Sequence, residues 1–370
     1  MWSGSVRRAV AVLFVFGFGS ALAIVYLLQS DYFHLYRLRS RDPTLGSLPI
    51  SKPVVFKTTV HRTASAPSSS TKPKVPTVPK HVPAPRTEIT TVVTIPAKPT
   101  RRPRGCHRCM EHTFKILLQP KACDPKTTLD IVFVVISAPP NTDRRNAIRQ
   151  SWGKPKGAGL VKLVFLFGSP KSQGYADQLK RESEEYGDIL QEDFHDAYEF
   201  LTYKTMMAFK WVKHNCQNVK YVFKTDDDMW VNVAAFLAKV KTIDMRNHIG
   251  GMCLLDAAPI RDRRSKWYAS VNQYPQSKYP GFCTGTAYFM TSDTAVKIYD
   301  VSPNVPFFHL ENIYVSLCAE RLGVKLKPVR YFHDKRVLWL YWCQYKRRTL
   351  ITSHGVSVAE LLTLEAKKCN

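Results

Sequence analysis

The sequence predicts an α/β fold with a mostly parallel sheet, preceded by an apolar segment and a long proline-rich segment. Three observations indicate this organisation. Residues 9–28 contain no charged side chain, residues 43–105 hold 12 of the 24 prolines, and residues 131–136 begin an alternation of apolar strands and amphipathic helices. Continuous apolar strands are typical of parallel sheets, which are covered on both faces.

The apolar run at 9–28 is 20 residues long, about the length of a helix that crosses a bilayer. Arg7 and Arg8 precede it, which favours a cytoplasmic position for residues 1–8. The run continues past a small-x-small sequence at 21–23, so a retained signal-anchor is favoured over a cleaved signal peptide. We therefore expect a single membrane span followed by a lumenal chain.

Residues 29–125 are expected to form a solvated stem. Within them, residues 43–105 carry 11 Lys or Arg against the single acid Glu88, and Phe56 is their one aromatic residue. This composition cannot bury a core and predicts a disordered tether, to which much of the formal charge of +25 belongs. A polyanion-binding arm is the alternative. Nucleic-acid binding is not expected, because no aromatic side chains are interleaved with the charges.

The nine cysteines all lie at or beyond Cys106, as expected of a lumenal or extracellular domain. Cys106 and Cys109 have the spacing of a zinc or redox pair, but no second pair at similar spacing follows, so a disulfide is favoured. Because the number of cysteines is odd, at least one thiol should stay unpaired or bridge to another chain.

The globular domain is expected over residues 126–370. Its first half alternates predicted apolar strands at 131–136 and 161–167 with predicted helices at 175–186, 200–214 and 234–241.

A basic helix follows the first strand and a breaker loop at 137–141. Arg145 and Arg149 lie four residues apart, so they share one face of this helix. A strand, a tight loop and a basic helix start can cradle a diphosphate through backbone N–H groups and guanidinium groups. An ordinary solvated arginine-rich helix is the alternative interpretation.

The apolar strand that contains Tyr221 ends in three carboxylates, Asp226, Asp227 and Asp228. Side chains alternate along a strand, so Asp226 and Asp228 are expected on one side and Asp227 on the other. Two carboxylates on one side suit a hard divalent cation such as Mg²⁺ or Mn²⁺. Open α/β sheets also bind ligands beyond the carboxyl ends of their strands. The alternative is an acidic turn that caps the next segment.

Seven motifs, in order, resemble those of the β-1,3-glycosyltransferase family and span the globular domain. They are VVISAP at 134–139, RRNAIRQSWG at 144–153, FKTDDD at 223–228, KWY at 266–268, YPGFCTGTAY at 279–288, HLENIYV at 309–315 and RRTLITSH at 347–354. The resemblance implies a GT-A fold, a Rossmann-like nucleotide-sugar-binding sheet with an acceptor-binding part, and inversion at the anomeric carbon. It also implies a type II Golgi membrane protein with a lumenal domain.

The resemblance also implies roles for individual residues. Asp226 and Asp228 match the DxD motif that holds Mn²⁺ on a UDP diphosphate, and His354 matches a further Mn²⁺ ligand. Imidazole suits Mn²⁺ better than Mg²⁺, although an ordinary surface histidine is the alternative. The other expected substrate contacts are Arg145, Arg149, Asp227, Trp267, Tyr268, Gly285 and Thr286.

One position departs from the family pattern. The chain has Glu311-Asn312 where the family usually has Glu-Asp or Asp-Asp, and the second acid is the one usually assigned as the base. Asparagine cannot accept the proton of an attacking hydroxyl. Either Glu311 is the catalytic base, or the chain is a weak or inactive relative.

The segment Thr284-Gly285-Thr286-Ala287-Tyr288 resembles the galactosyltransferase pattern Ser-Gly-Thr-Gly-Tyr more than the Gly-Gly-Gly pattern of N-acetylglucosaminyl members. We therefore expect Mn²⁺-dependent transfer of galactose from a UDP-sugar to a glycan of a glycoprotein or glycolipid, in β-1,3 linkage. The alternatives are an N-acetylglucosaminyl or N-acetylgalactosaminyl transferase, or a non-catalytic carbohydrate-binding relative.

Overall fold

The structure is a computed structural model that describes residues 102–154, 160–337, 342–346 and 349–368. The predicted cytoplasmic tail at 1–8, the predicted membrane span at 9–28 and most of the predicted stem lie outside these residues. Within the described part of the chain, no helix combines the length and the apolar character that a bilayer crossing requires.

In the described residues, eight strands form the main sheet and two short strands form a second one. The strands are β1 (Ile116–Leu118), β2 (Leu129–Ile136), β3 (Val161–Ser169), β4 (Ile189–His195), β5 (Val219–Asp226), β6 (Met229–Val231), β7 (His248–Leu254), β8 (Phe282–Thr291), β9 (Lys325–Pro328) and β10 (Thr352–His354). The main sheet has the order β1-β4-β3-β2-β5-β8-β7-β9, and β6 pairs with β10.

Helices connect most of these strands. They are α1 (Thr142–Gln150), α2 (Gln173–Tyr186), α3 (Leu201–Asn215), α4 (Val233–Val240), α5 (Ser292–Val301), α6 (Glu311–Leu322), α7 (Trp342–Tyr345) and α8 (Val358–Ala366). Helices α2 and α6 end at Gly187 and Gly323, whose φ angles of 64° and 69° are unfavourable for residues with a side chain. The predicted strands and helices of the first half are confirmed, with boundaries shifted by one or two residues.

The main sheet of the described residues is mixed, with four parallel and three antiparallel pairings, so parallel pairing predominates less than predicted. Strands β4, β3, β2 and β5 run parallel to one another, and β9 runs parallel to β7. In contrast, β8 runs antiparallel to both β5 and β7, and β1 runs antiparallel to β4. Residues 255–281, which connect β7 to β8, contain no helix. A helical crossover is the usual connection between parallel strands, so its absence here agrees with the antiparallel pairing.

Each face of the sheet carries its own apolar core. Along β2, Val132 and Val134 point to the face covered by α3, α5 and α6. Ile131 and Phe133 point to the opposite face, where α1, α4 and α8 pack. All four side chains are fully buried. Because the strand is covered on both faces, it carries apolar residues without alternation.

Residues 102–125 are part of the folded domain, which therefore includes residues before 126. The guanidinium of Arg102 donates to the carbonyls of Gln273 and Phe307, at 3.0 and 2.8 Å. Further along, β1 pairs with β4. The predicted stem therefore ends before this segment.

One disulfide lies within this segment, one joins it to the residue that follows α3, and one joins β7 to β8. These disulfides between described cysteines are Cys106–Cys109, Cys123–Cys216 and Cys253–Cys283. Cys343 is disulfide-bonded as well. Among the described residues the free cysteine is the buried Cys318. The preference for a disulfide at Cys106 and Cys109 is confirmed.

Candidate active site

The candidate active site lies at the carboxyl end of β5. Asp226 is the last residue of this strand, and Asp227 and Asp228 form the turn into β6. Ile136, the last residue of β2, pairs with Asp226, so the loop after β2 lies at the same end of the sheet. This is the edge at which open α/β sheets bind ligands.

The pairing of β10 with β6 brings Asp228 and His354 together. His354 lies opposite Met229, which follows Asp228 directly. Its Nε2 atom is 3.3 Å from Oδ2 of Asp228. The hydrogen bond to Asp228 is the main reason that the pKa of His354 is raised above its ordinary value. Burial acts to raise the pKa of Asp228, but the hydrogen bond and charge of His354 outweigh it, so the net shift is downward.

Asp226 has a different partner. Nζ of Lys224 lies 2.7 Å from Oδ1 of Asp226. Burial is the largest influence on this carboxyl and raises the pKa of Asp226 to about 6, although Lys224 acts in the opposite direction. Lys224 therefore balances much of the charge of Asp226 when that carboxyl is ionised.

The described residues contain no group of three or more His, Cys, Asp or Glu already arranged to hold a metal ion. The chemistry of the donors nevertheless fits, since Mn²⁺ accepts both carboxylate and imidazole ligands. Neighbouring ligands of an octahedral cation lie about 3 Å apart when its bonds are about 2.1 Å long. Asp228 Oδ2 and His354 Nε2, 3.3 Å apart, have nearly this spacing. They are the two side chains best placed to share a cation.

Asp227 has a structural role in the turn. Its carboxylate accepts hydrogen bonds from Ser137 Oγ at 2.7 Å, Asn141 Nδ2 at 2.9 Å and Arg144 Nη1 at 3.2 Å, and it is buried. These bonds join the turn after β5 to the loop after β2. Because its oxygens are occupied within the protein, this placement does not support the expected contact of Asp227 with the substrate.

Arg145 and Arg149 belong to an internal ion-pair cluster. The guanidinium of Arg145 is fully buried and donates to both oxygens of Glu182 at 2.7 Å. Arg149 donates to Glu182 and to both oxygens of Asp188, each at 2.8 Å. These carboxylates occupy the guanidinium groups, so the structure gives Arg145 and Arg149 a structural role and does not support the predicted diphosphate contacts.

Arg144 is the arginine of α1 that faces the acidic turn. Its Nη1 atom lies 3.2 Å from Oδ1 of Asp227 and 3.5 Å from Oδ2 of Asp228, and its side chain is 41% exposed. It was missed because helical spacing groups Arg145 with Arg149 but does not say which face of α1 meets the sheet. A partly exposed guanidinium thus lies beside the candidate metal ligands.

Glu311 is buried in the first turn of α6. Its side chain is 4% exposed, and Oε2 lies 3.8 Å from Nζ of Lys224. Oε1 accepts hydrogen bonds from Thr205 Oγ1 at 2.9 Å and from the Tyr288 hydroxyl at 2.5 Å. A general base must come within hydrogen-bond reach of the substrate hydroxyl. The carboxylate of Glu311 faces the interior, so this placement does not support its predicted role as the base.

Asn312 lies beside the segment of β8 that carries Gly285 and Thr286. Its Nδ2 donates to the carbonyl of Cys283 at 3.2 Å. An added Cβ at Gly285 would lie 3.7 Å from the Cβ of Asn312, so the two residues are close neighbours. The carbonyl of Thr286 accepts a hydrogen bond from Thr225 Oγ1 at 3.2 Å. The position that departs from the family pattern is therefore part of this site.

An aromatic pair lies near Asp226. Trp267 is 49% exposed, and Tyr198 is exposed beside it. Burial is the main cause that raises the pKa of Tyr198, the charge of Asp226 adds to it, and the neighbouring Trp267 acts in the opposite direction. Nζ of Lys266 lies 4.9 Å from the ring centroid of Trp267, and Tyr268 is half-buried. Tyr198 was missed because nothing in its local sequence distinguishes it from an ordinary surface tyrosine.

Comparison with known protein sequences finds matches that are all named galactosyltransferases. The galactosyltransferase family model matches residues 143–330. β-1,3-Galactosyltransferase 1 of Homo sapiens is 35% identical over 256 residues, which cover 68% of this chain and 77% of that protein. β-1,3-Galactosyltransferase 5 of Homo sapiens is 41% identical over 206 residues, which cover 54% of this chain and 65% of that protein.

Solved structures give more distant matches. The WbbM bifunctional glycosyltransferase aligns with a TM-score of 0.36 and 10% identity, over 67% of this chain and 51% of that chain. Mouse xyloside xylosyltransferase 1 aligns with a TM-score of 0.32 and 9% identity, over 61% of this chain and 97% of that chain.

The family model spans half of the chain, and the match to human β-1,3-galactosyltransferase 1 spans more than two thirds of that protein. By these two matches, the chain belongs to the galactosyltransferase family.

Proposed function

We propose that this chain transfers galactose from UDP-galactose to a hydroxyl of a glycan, in β-1,3 linkage and with inversion, on a GT-A-type fold that uses Mn²⁺. Two relatives named β-1,3-galactosyltransferases support the sugar and the linkage. The observation that carries the proposal is the pair formed by Asp228 and His354, 3.3 Å apart at the carboxyl end of β5.

The donor diphosphate is expected beside this pair. Asp228 and His354, with Asp226, would hold Mn²⁺, which when bound neutralises the charge that develops on the leaving diphosphate. Arg144 presents a partly exposed guanidinium 3.5 Å from Asp228, and a guanidinium is well suited to phosphate oxygens. These groups would favour departure of UDP.

The acceptor is expected on the side of Trp267 and Tyr198. Their exposed rings provide an amphipathic surface for a sugar, and Lys266 supplies a hydrogen-bond donor next to Trp267. An acceptor oxygen held there forms its bond to the anomeric carbon as the bond to the phosphate oxygen breaks on the opposite side, which inverts the configuration. The proton of this hydroxyl is released to solvent water, since the carboxylate of Glu311 faces the interior.

We also propose a location. The apolar run at 9–28, with Arg7 and Arg8 before it, supports a single-pass type II protein of the Golgi membrane. The disulfides of the domain support a lumenal position.

A donor competition assay tests the proposed function. Full-length protein in detergent is incubated with Mn²⁺, UDP-galactose, UDP-N-acetylglucosamine and a panel of glycan acceptors. We expect galactose to be transferred faster, and NMR of the product to show a β-1,3 linkage. Faster transfer of an N-acetyl sugar would support the N-acetylhexosaminyl alternatives. Absence of transfer from every donor would support a non-catalytic carbohydrate-binding relative.

A further inference from the structure

Lys224 lies buried at the centre of the site and contacts three parts of the fold. Its side chain is 2% exposed. Nζ donates to Oδ1 of Asp226 at 2.7 Å and to the carbonyl of Gly285. It also lies 3.8 Å from Oε2 of Glu311. Lys224 therefore connects the end of β5, the start of β8 and the first turn of α6.

The strand register explains this position. Lys224 and Tyr288 lie directly opposite each other on β5 and β8, so their side chains leave the sheet on the same face. Helices α3 and α6 cover this face and bring Thr205 and Glu311 over Tyr288. The hydroxyls of Thr205 and Tyr288 both donate to Oε1 of Glu311, which leaves Oε2 on the side of Lys224.

The charges make Lys224 necessary to this arrangement. It is the cation between two carboxylates, those of Asp226 and Glu311. Removal of one partner from a buried ion pair is strongly destabilising, because it leaves an uncompensated charge away from water. Without Lys224, the buried carboxylate of Glu311 and the partly exposed carboxylate of Asp226 would repel each other. The position of the Asp226 carboxylate thus depends on Lys224, and that of Lys224 depends on Glu311.

The same contacts fix the position of Asn312. Glu311 is the first residue of α6, and Asn312 follows it. Since Lys224 holds both Glu311 and the carbonyl of Gly285, it sets the separation between the start of α6 and β8. A Cβ added at Gly285 would lie 3.7 Å from the Cβ of Asn312, so this separation decides how the two neighbouring residues meet.

We propose that Lys224 and Glu311 are positioning residues: Glu311 holds the ammonium group of Lys224, and this group orients the carboxylate of Asp226 and keeps Gly285 in place next to Asn312. Glu311 acts through Lys224 and not as a general base. This inference rests on the proposed function, since it concerns the donor site of that reaction.

A double-mutant cycle on the full-length chain tests the inference. The variants are Lys224→Met, Glu311→Gln and the two combined. Calorimetry measures UDP affinity in the presence of Mn²⁺, thermal unfolding measures stability, and kinetics give kcat, KM and the pH profile of kcat. Lys220→Met is the matched control, because Lys220 lies on the same strand but pairs with Asp130 at the exposed surface.

The expected results differ among the variants. Lys224→Met should lower the melting temperature and weaken UDP binding on the order of 10-fold, because two carboxylates lose their cation. Adding Glu311→Gln should recover part of both losses, since it removes one of the two uncompensated charges. Glu311→Gln alone should weaken UDP binding and leave the pH profile of kcat unchanged. Lys220→Met should change none of these quantities measurably.

Two outcomes would overturn the inference. One is a loss in kcat of ~10²- to 10⁴-fold in Glu311→Gln with unchanged UDP affinity and melting temperature, which is the signature of a base. The other is strict additivity of the two substitutions.

If Lys224→Met does not fold, Tyr288→Phe replaces it, because it removes a neutral donor to Glu311. Unchanged UDP affinity in both Tyr288→Phe and Glu311→Gln would then overturn the inference. The measurements of UDP affinity and of melting temperature need no donor sugar. A wild type that binds UDP but transfers no galactose would therefore refute the proposed function without affecting this test.

Discussion

Nε2 of His354 lies 3.3 Å from Oδ2 of Asp228, because the antiparallel pairing of β10 with β6 places His354 opposite Met229. This contact joins a residue near the end of the chain to the acidic turn after β5. It leads to a prediction about metal dependence.

We expect UDP to bind in a Mn²⁺-dependent manner. Asp228→Ala should weaken UDP binding by more than the ~10- to 100-fold that loss of an outer-shell partner of a metal costs. His354→Ala should weaken it less, because both carboxylates remain. Calorimetry with Mn²⁺ or with EDTA measures the effect, and Asp293→Ala, in an exposed helical ion pair with Lys297, is the control. UDP affinity that is the same in EDTA would contradict the assignment.

Asn312→Asp is expected to accelerate the reaction. The substitution places a carboxylate beside Gly285, where the family usually has an acid, at the cost of the hydrogen bond that Asn312 donates to Cys283. A positioned base contributes on the order of 10²-fold or more to a rate, so kcat should rise by about that factor. Steady-state kinetics with UDP-galactose measures it. A kcat that is unchanged or lower would show that position 312 does not need an acid in this chain.

Glu182→Gln is expected to destabilise the fold in a pH-dependent way. Burial alone would raise the pKa of Glu182, but Arg145 and Arg149 outweigh it, and the net shift is downward. A lowered pKa stabilises the folded state above the ordinary value of 4.5, and this stabilisation is lost as the pH falls through the lowered pKa. The substitution should therefore reduce the free energy of unfolding by about 3 to 5 kcal/mol at neutral pH, and by less in acid.

Denaturation by urea at neutral and acidic pH checks this prediction. Glu184→Gln is the control, because Glu184 is exposed on the same helix, and it should change the free energy of unfolding by less than about 0.5 kcal/mol. An equal effect of Glu182→Gln at both pH values would contradict the proposed linkage.

Arg102→Ala is expected to weaken both the fold and acceptor binding. The guanidinium holds the carbonyls of Gln273, in the loop that carries Trp267, and of Phe307, in the loop before α6, and it stacks over the ring of Phe308. We expect a loss of about 2 to 4 kcal/mol in the free energy of unfolding and a higher KM for the acceptor. Arg104→Ala, which removes an exposed pair with Glu320, should cost less than about 1 kcal/mol. Equal effects of the two substitutions would refute this role.

Residues 9–28 are expected to remain in the mature protein and to leave the domain in the lumen. Protease treatment of intact Golgi vesicles measures this, because a lumenal domain is digested only after detergent is added. Digestion without detergent would contradict the orientation. A secreted product that lacks residues 9–28 would support a cleaved signal peptide.

The sequence by itself was sufficient to predict the features that depend on a local pattern of residues. The apolar run at 131–136 and the helical spacing at 200–214 predicted elements that the structure contains. Burial of both faces of a strand gives a continuous apolar run, and burial of one face of a helix gives a helical period. The position of Asp226 at the end of a strand was also evident, since charged residues follow an apolar run abruptly. The motif order predicted the family, which the comparisons confirm.

Only the tertiary structure decided which member of each group of neighbouring polar residues faces the site. Arg145 is buried, whereas Arg144 lies beside the acidic turn. Asp227 points inward, whereas Asp228 lies next to His354. Glu311 is also buried against Lys224. The physical reason is that adjacent side chains leave the backbone in different directions. Which direction is interior depends on strands and helices that are distant in the sequence, such as β10 beside β6 and α6 over β8.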